Sequence, residues 1–395
     1  MENIFFIIIP TILILAKIIG ELFDRFEMPS ILGEILIGIV LGPEVLKILN
    51  PEGEFLSFFA QIGAIFLLFS IGFEKIDIEK LKDSIKKATP IASLGVLFPF
   101  IFGFIAVYVF ANSLNLQEDR IFVAALIVAT GLSTTSIGVT IRTLLDLRYF
   151  RTIAGLTILF AAILGDIVAL TLLALITSFA MTGTVSIMGA VTIFLYFLIF
   201  TVIVYIAGKY LLPNTANLID RLNTEESNFA IMISTAFLFA SLAEFFHLHM
   251  IMGAFLVGII FSEIPVFRTE DMSHKVNAIS HGLFIPFFFV YVGTLFSFET
   301  VRNVQEFAII LITLSVVGKT LGGFLGSWWM KIDKKDSWVI GIGLIPRNEV
   351  ILVVAAIGIE QKIITEPIFA SLVLVAIATT IITPLLLRFV IGRQE

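Results

Sequence analysis

The 395-residue chain has no cysteine and four histidines, and only 14% of its positions carry Asp, Glu, Lys or Arg. Each scarcity excludes something. Without cysteine there is no disulfide framework, no thiolate chemistry and no Cys-ligated metal. So few charges, set against 58% hydrophobic residues and a mean hydropathy of +1.07, exclude a water-soluble domain, which could bury its core with far less apolar sequence. The class is a polytopic membrane protein. A net charge of −6 says little about it, because membrane topology follows the placement of Lys and Arg rather than their sum with the acids. The N-terminus also lacks something: Met1-Glu2-Asn3 runs into an apolar stretch with no basic region before it and no small-residue cleavage site. It reads as a first membrane helix, not a signal peptide. The chain stops at Glu395 directly after its last apolar segment, so no cytosolic regulatory domain is expected.

Apolar segments fall at 3–23, 29–48, 55–73, 88–111, 121–141, 149–178, 185–212, 227–246, 248–263, 277–298, 303–330, 337–358 and 367–391. Most reach the ~20 residues that a span requires, which predicts an all-α protein of about thirteen transmembrane helices. With the N-terminus outside, the inward loops and tail hold eighteen basic residues, including Lys75, Lys80, Lys82, Lys86, Lys87, Arg142, Arg148, Arg151, Lys331, Lys334 and Lys335. The outward loops hold four: Lys47, Arg120, Arg302 and Lys362. Lys17, Lys319 and Arg347 lie inside apolar segments. This bias predicts an outside N-terminus, a cytoplasmic C-terminus and an odd number of spans.

An odd count with a long seventh segment suggests two inverted six-helix repeats joined by a linker helix. The fifth segment of each half is interrupted. One carries Thr130-Gly131-Leu132-Ser133-Thr134-Thr135-Ser136-Ile137-Gly138, the other Gly341-Ile342-Gly343-Leu344-Ile345-Pro346-Arg347-Asn348-Glu349. Hydroxyl runs, Gly and Pro are poor material for an unbroken helix. Unwound backbone at mid-membrane is tolerated only inside protein or beside water, so paired breaks predict a midplane ion site.

One acid stands in the sixth segment: Asp166, fifteen residues after Arg151. At ~1.5 Å per residue it lies near mid-depth, where a carboxylate is costly by roughly 2.5–3.5 kcal/mol, so its default reading is functional. Lys319, deep in the eleventh segment, needs a counter-charge, and Asp166 is the evident one. The pair forms a competitive switch, in which a metal cation displaces the ammonium or proton and a returning proton expels the metal. Such a site exchanges its ligands; it does not cotransport them. Arg347 does not give up its proton at reachable pH, so it reads as a structural charge pinning the unwound backbone, with Glu349 or another acid as partner. Thr134, Thr135 and Ser136 offer oxygen ligands for a hard cation such as Na+. Glu34 reads as a packing or entry residue, Glu74 as lying at an inner mouth, and Lys17 as snorkelling inward.

With these residues assembled, the chain resembles the cation:proton antiporter superfamily, in the branch of the Nap-type sodium/proton and Kef-type potassium/proton exchangers. The likeness is carried by Met28–Gly38 with Leu41-Gly42-Pro43, Leu67–Glu74, Ser133–Arg142, Gly165-Asp166, Gly318-Lys319 and Pro346-Arg347-Asn348-Glu349-Val350. It implies an antiporter exchanging Na+, or alternatively K+, for H+, with Asp166 binding the ion and Lys319 as the core lysine. It implies a homodimer in the plasma membrane of a prokaryote. The dimerisation domain would comprise residues 1–86 and 225–300 and the mobile core 87–182 and 301–395, with 183–224 as linker helix. Electrogenic relatives carry two consecutive acids where this chain has Gly165-Asp166, which leaves the coupling ratio open. No cofactor and no nucleic-acid partner are expected. An intramembrane aspartyl protease needs a second aspartate sharing the proton, and no other membrane segment holds one, so no enzymatic activity is expected. A channel would need a continuous pore with a ring of carbonyls or acids, and a cation-coupled solute symporter, the remaining alternative, would couple its flux inward.

Overall fold

The computed structural model describes residues 2–26, 28–51, 53–75, 78–114, 116–150, 152–182, 187–211, 226–246, 248–303, 305–347 and 349–392. Every regular element among them is helical. In chain order these are α1 (Glu2–Arg25), α2 (Ser30–Leu41), α3 (Glu54–Lys75), α4 (Ile78–Phe110), α5 (Glu118–Ser133), α6 (Ile137–Asp146), α7 (Ile153–Thr182) and α8 (Ile187–Ile206). Then come α9 (Ser227–Phe245), α10 (Met250–Glu263), α11 (Glu270–Ile279), α12 (Ile285–Thr294), α13 (Phe298–Asn303), α14 (Gln305–Trp329), α15 (Lys334–Gly343), α16 (Glu349–Glu360) and α17 (Glu366–Ile391). Among the described residues eight stretches are long and apolar enough to cross a membrane, and shorter apolar helices lie at Ser30–Leu41, Leu195–Tyr210, Met250–Glu263 and Val350–Glu360.

The helix ends differ from the hydropathy pattern for local reasons. The fourth apolar segment starts at residue 88, yet α4 begins at Ile78, because Lys and Glu are good helix formers and simply continue it. The sixth segment begins at Tyr149, but its helix starts only at Ile153, where the Thr152 hydroxyl accepts the Gly155 N–H. α11 and α12 form one span, interrupted by a wide turn at Ser280–Phe284. Pro286 explains the turn: it lacks an N–H and crowds the carbonyl four residues back.

The chain divides into two compact units. Unit 1 comprises Met1–Leu22, Gly33–Glu79 and Thr177–Leu295. Within it α3 and α10 pack reciprocally, Gly72 beneath the Phe255 carbonyl and Gly258 beneath that of Phe69. Its lysine Lys17 donates to the His281 carbonyl in the wide turn at 2.7 Å, Glu34 is buried, and the Asn277 amide donates to Glu74. Unit 2 comprises Phe23–Leu32, Lys80–Ile176 and Phe296–Glu395, and it holds both interrupted segments. Its core gathers Ile91, Leu144, Ile158, Val339, Ile345 and Leu387 with their neighbours. Along α14, Gly318, Gly322 and Gly326 recur every fourth residue and let α4 approach until Leu94 carbonyl oxygen lies 2.2 Å from where a Gly322 Cβ would stand. This small-residue stripe fixes the height of the intervening Lys319.

A candidate cation site where two broken helices meet

Both sequence interruptions are breaks. α5 ends at Ser133, Thr134 is extended, and α6 resumes at Ile137. Hydroxyls compete with the backbone here: Ser133 Oγ donates to the Ala129 and Val96 carbonyls, and Thr134 Oγ1 turns back to Gly131 at 2.9 Å. α15 ends at Gly343 and α16 begins at Glu349, with Pro346 between them unable to donate and disfavouring helix at Ile345. The freed groups satisfy one another. Ser136 N–H donates to the Pro346 carbonyl at 2.6 Å, and Thr140 Oγ1 donates to the Gly343 carbonyl at 2.7 Å.

Arg347, 2% exposed, holds the meeting point. Its Nη1 donates to the Thr134 carbonyl at 3.0 Å and the Ile345 carbonyl at 2.9 Å, one on each break. Its Nη2 donates to Ser315 Oγ at 2.6 Å and the Ser315 carbonyl at 3.3 Å, while its backbone N–H reaches Thr379 Oγ1 at 3.2 Å. These acceptors are carbonyls and hydroxyls. The Glu349 side chain and all of Asn348 lie outside the described residues.

Asp166, 6% exposed on α7, faces the first break: its Oδ1 accepts the Thr135 N–H at 3.0 Å. Lys319, 1% exposed, reaches the same residue from α14. Its ammonium donates to Thr135 Oγ1 at 2.7 Å and to the Ser133 carbonyl at 2.5 Å. Thr135 therefore joins the carboxylate and the ammonium, and Asp166, Lys319 and Arg347 lie within electrostatic reach of one another. Of the three hydroxyl residues read as ligands, Thr135 touches both charges. Thr134 lends its carbonyl to Arg347 and its hydroxyl to its own helix, and Ser136 ties its backbone to Pro346. Ser315, Thr379 and Thr140 carry no local signal that separates them from neighbouring hydroxyls such as Thr313, Thr380 and Thr143; only the folded chain brings them to the breaks.

Two helix breaks bonded to each other, with a buried carboxylate and a lysine sharing one threonine, define a class, the helical membrane carriers built on discontinuous helices. The transmembrane family of sodium/hydrogen exchangers matches residues 11–391. The chain is 31% identical to the Na(+)/H(+)-K(+) antiporter GerN of Bacillus cereus over all of its length and 98% of that protein. It is 32% identical to the probable Na(+)/H(+) antiporter GerT of the same organism, over 98% of its length and 99% of the relative's. Its fold matches the sodium proton antiporter MjNhaP1 of Methanocaldococcus jannaschii, with a TM-score of 0.65 and 20% identity over 98% of this chain and 97% of that one. This protein belongs to the sodium/hydrogen exchanger family.

Proposed function

We propose that the protein exchanges Na+ for H+ across a membrane, each taken in turn at Asp166. The observation that carries this reading is the seat of Lys319. Its ammonium occupies two oxygens, the Ser133 carbonyl and Thr135 Oγ1, beside the Asp166 carboxylate. Those are the hard oxygen ligands an alkali cation needs. An incoming Na+ takes the carboxylate and these oxygens and displaces the ammonium. A proton arriving at Asp166 removes the negative charge, and the metal leaves. Since one carboxylate in hydrocarbon cannot hold both, the two fluxes are coupled in opposite directions. Arg347 keeps its charge throughout and holds the breaks together. Exchange of K+ is the second reading, favoured by the name of the Bacillus cereus relative at 31% identity.

In this reading the protein works as a homodimer in a prokaryotic plasma membrane, with an outside N-terminus and a cytoplasmic C-terminus. Residues 87–182 and 301–395 are the moving core and residues 1–86 and 225–300 the dimerisation domain, joined by the linker helix 183–224. The test is Asp166→Asn in proteoliposomes, with internal pH followed after addition of NaCl. The variant is expected to fold and to lose exchange, and sodium-driven proton flux at the wild-type rate would refute the site.

A further inference from the structure

Unit 1 holds a buried acid that the site in unit 2 does not use. Glu34, 6% exposed, stands little more than one turn into α2, and among the described residues no donor meets its Oε2. Its backbone is held on two sides. A Cβ at Gly33 would lie 3.1 Å from the Ile19 carbonyl oxygen of α1, and one at Gly38 would lie 2.0 Å from the Val290 carbonyl oxygen of α12. Gly293 of α12 presses back on the Ile35 carbonyl, which a Cβ there would approach to 2.2 Å. So close a fit keeps α2 from rotating to carry the carboxyl group out to water. Charge nearby is scarce. α12 and the stretch of α3 between Glu54 and Glu74 carry none. Lys17 of α1 lies within electrostatic reach, but its ammonium donates to the His281 carbonyl in the wide turn at 2.7 Å. The other titratable side chains on these elements are Glu21, Asp24 and Arg25 further along α1, His281 in the turn and Tyr291 on α12.

We propose that Glu34 is a second proton-binding group, separate from Asp166, and that Lys17 is the charge that takes the proton's place. A carboxylate this deeply buried with an oxygen unpartnered is costly, so Glu34 is neutral while Lys17 holds the turn. When its proton leaves for water, the fixed helix cannot bring the anion a new donor. Lys17 can come to it: its side chain is long, flexible and exposed. The ammonium then gives up the His281 carbonyl and pairs with the carboxylate. The wide turn tolerates that loss, because Pro286 has already interrupted the regular helical bonds there. Proton release at Glu34 thus unties α1 from the wide turn and ties it to α2.

The experiment records infrared difference spectra of Asp166→Asn in liposomes from about pH 5 to about pH 9, with and without NaCl, so that the proton of Asp166 makes no contribution. A protonated-carboxyl band is expected that falls as pH rises, ignores Na+ and is missing from Asp166→Asn/Glu34→Gln. Adding Lys17→Met to Asp166→Asn removes the answering charge, so the band should persist about one pH unit or more higher. Glu34→Gln alone should melt at or above the wild-type temperature, since Oε2 gives up no hydrogen bond. A spectrum in which Glu34→Gln removes nothing, or a band that stays constant over the whole range, would overturn the proposal. So would a band that Na+ abolishes, which would make Glu34 a cation ligand, or one that Lys17→Met leaves in place. A lower melting temperature for Glu34→Gln would make the acid a structural partner and overturn it as well. None of these readouts depends on exchange at Asp166.

Discussion

Replacing Arg347 by lysine separates the geometry of the breaks from their charge. The guanidinium reaches the Thr134 carbonyl on one break, the Ile345 carbonyl on the other, and both oxygens of Ser315 on α14. It can do so because its donors form a rigid planar fork, whereas a lysine ammonium gathers three donors at one point. Lys at 347 keeps the positive charge near Asp166 but cannot serve both breaks and α14 together. At least two of the four bonds are lost, and the acceptors they leave are buried. A hydrogen bond from a charged donor contributes about 1.5–3 kcal/mol, so the expected loss of stability is about 3–6 kcal/mol. Thermal unfolding of the purified carrier in detergent, with Arg347→Met as the charge-free comparison, measures it. If Arg347→Lys melts with the wild type and exchanges at its rate, the clamp is wrong and only the charge matters.

Four further outcomes follow from the same geometry. Lys319→Ala frees the Ser133 carbonyl and Thr135 Oγ1 and removes a titratable charge, so exchange should change its dependence on an imposed membrane potential; an identical rate and voltage response would exclude Lys319 as a proton carrier. Because proton and metal compete for one carboxylate, the apparent KM for Na+ should rise as pH falls, approaching about ten-fold per unit, and a KM constant from about pH 5 to about pH 9 would contradict competition. Gly322→Val drives a side chain into the Leu94 carbonyl and should destabilise by about 1–3 kcal/mol or prevent folding, whereas a wild-type melting temperature would mean that α4 and α14 do not pack this closely. At the end of the α6–α7 connection the Tyr149 hydroxyl donates to the Asp336 carboxylate; partial burial and that bond push its pKa up. Its contribution is therefore present below the ordinary tyrosine range near ~10 and is lost only as pH climbs beyond it. Tyr149→Phe should lower stability by about 1 kcal/mol at neutral pH and leave the pH profile of exchange unmoved, and a shifted profile would assign the hydroxyl a part in proton transfer.

The class, its all-helical make-up and the two helix breaks were legible because each depends on few residues. A carboxylate in hydrocarbon is costly wherever its helix packs, so Asp166 stood out from its own segment alone. The breaks were equally local: Pro346 removes a donor, and the Ser133–Ser136 hydroxyls offer the backbone other partners. Lys319 and Arg347 could be recognised as buried charges, and Asp166 named as the counter-charge of Lys319, but the oxygens that hold each cation could not be named. Lys319 meets the Ser133 carbonyl from 186 residues away, and Arg347 meets Thr134 from 213. Which oxygen each cation reaches depends on how α14 lies against α4, a register set by the close approach at Gly318, Gly322 and Gly326. The same packing decided that Thr135, and not its two neighbours, touches both charges. A sequence specifies how much a buried charge must be compensated; only the packed helices decide which atoms compensate it.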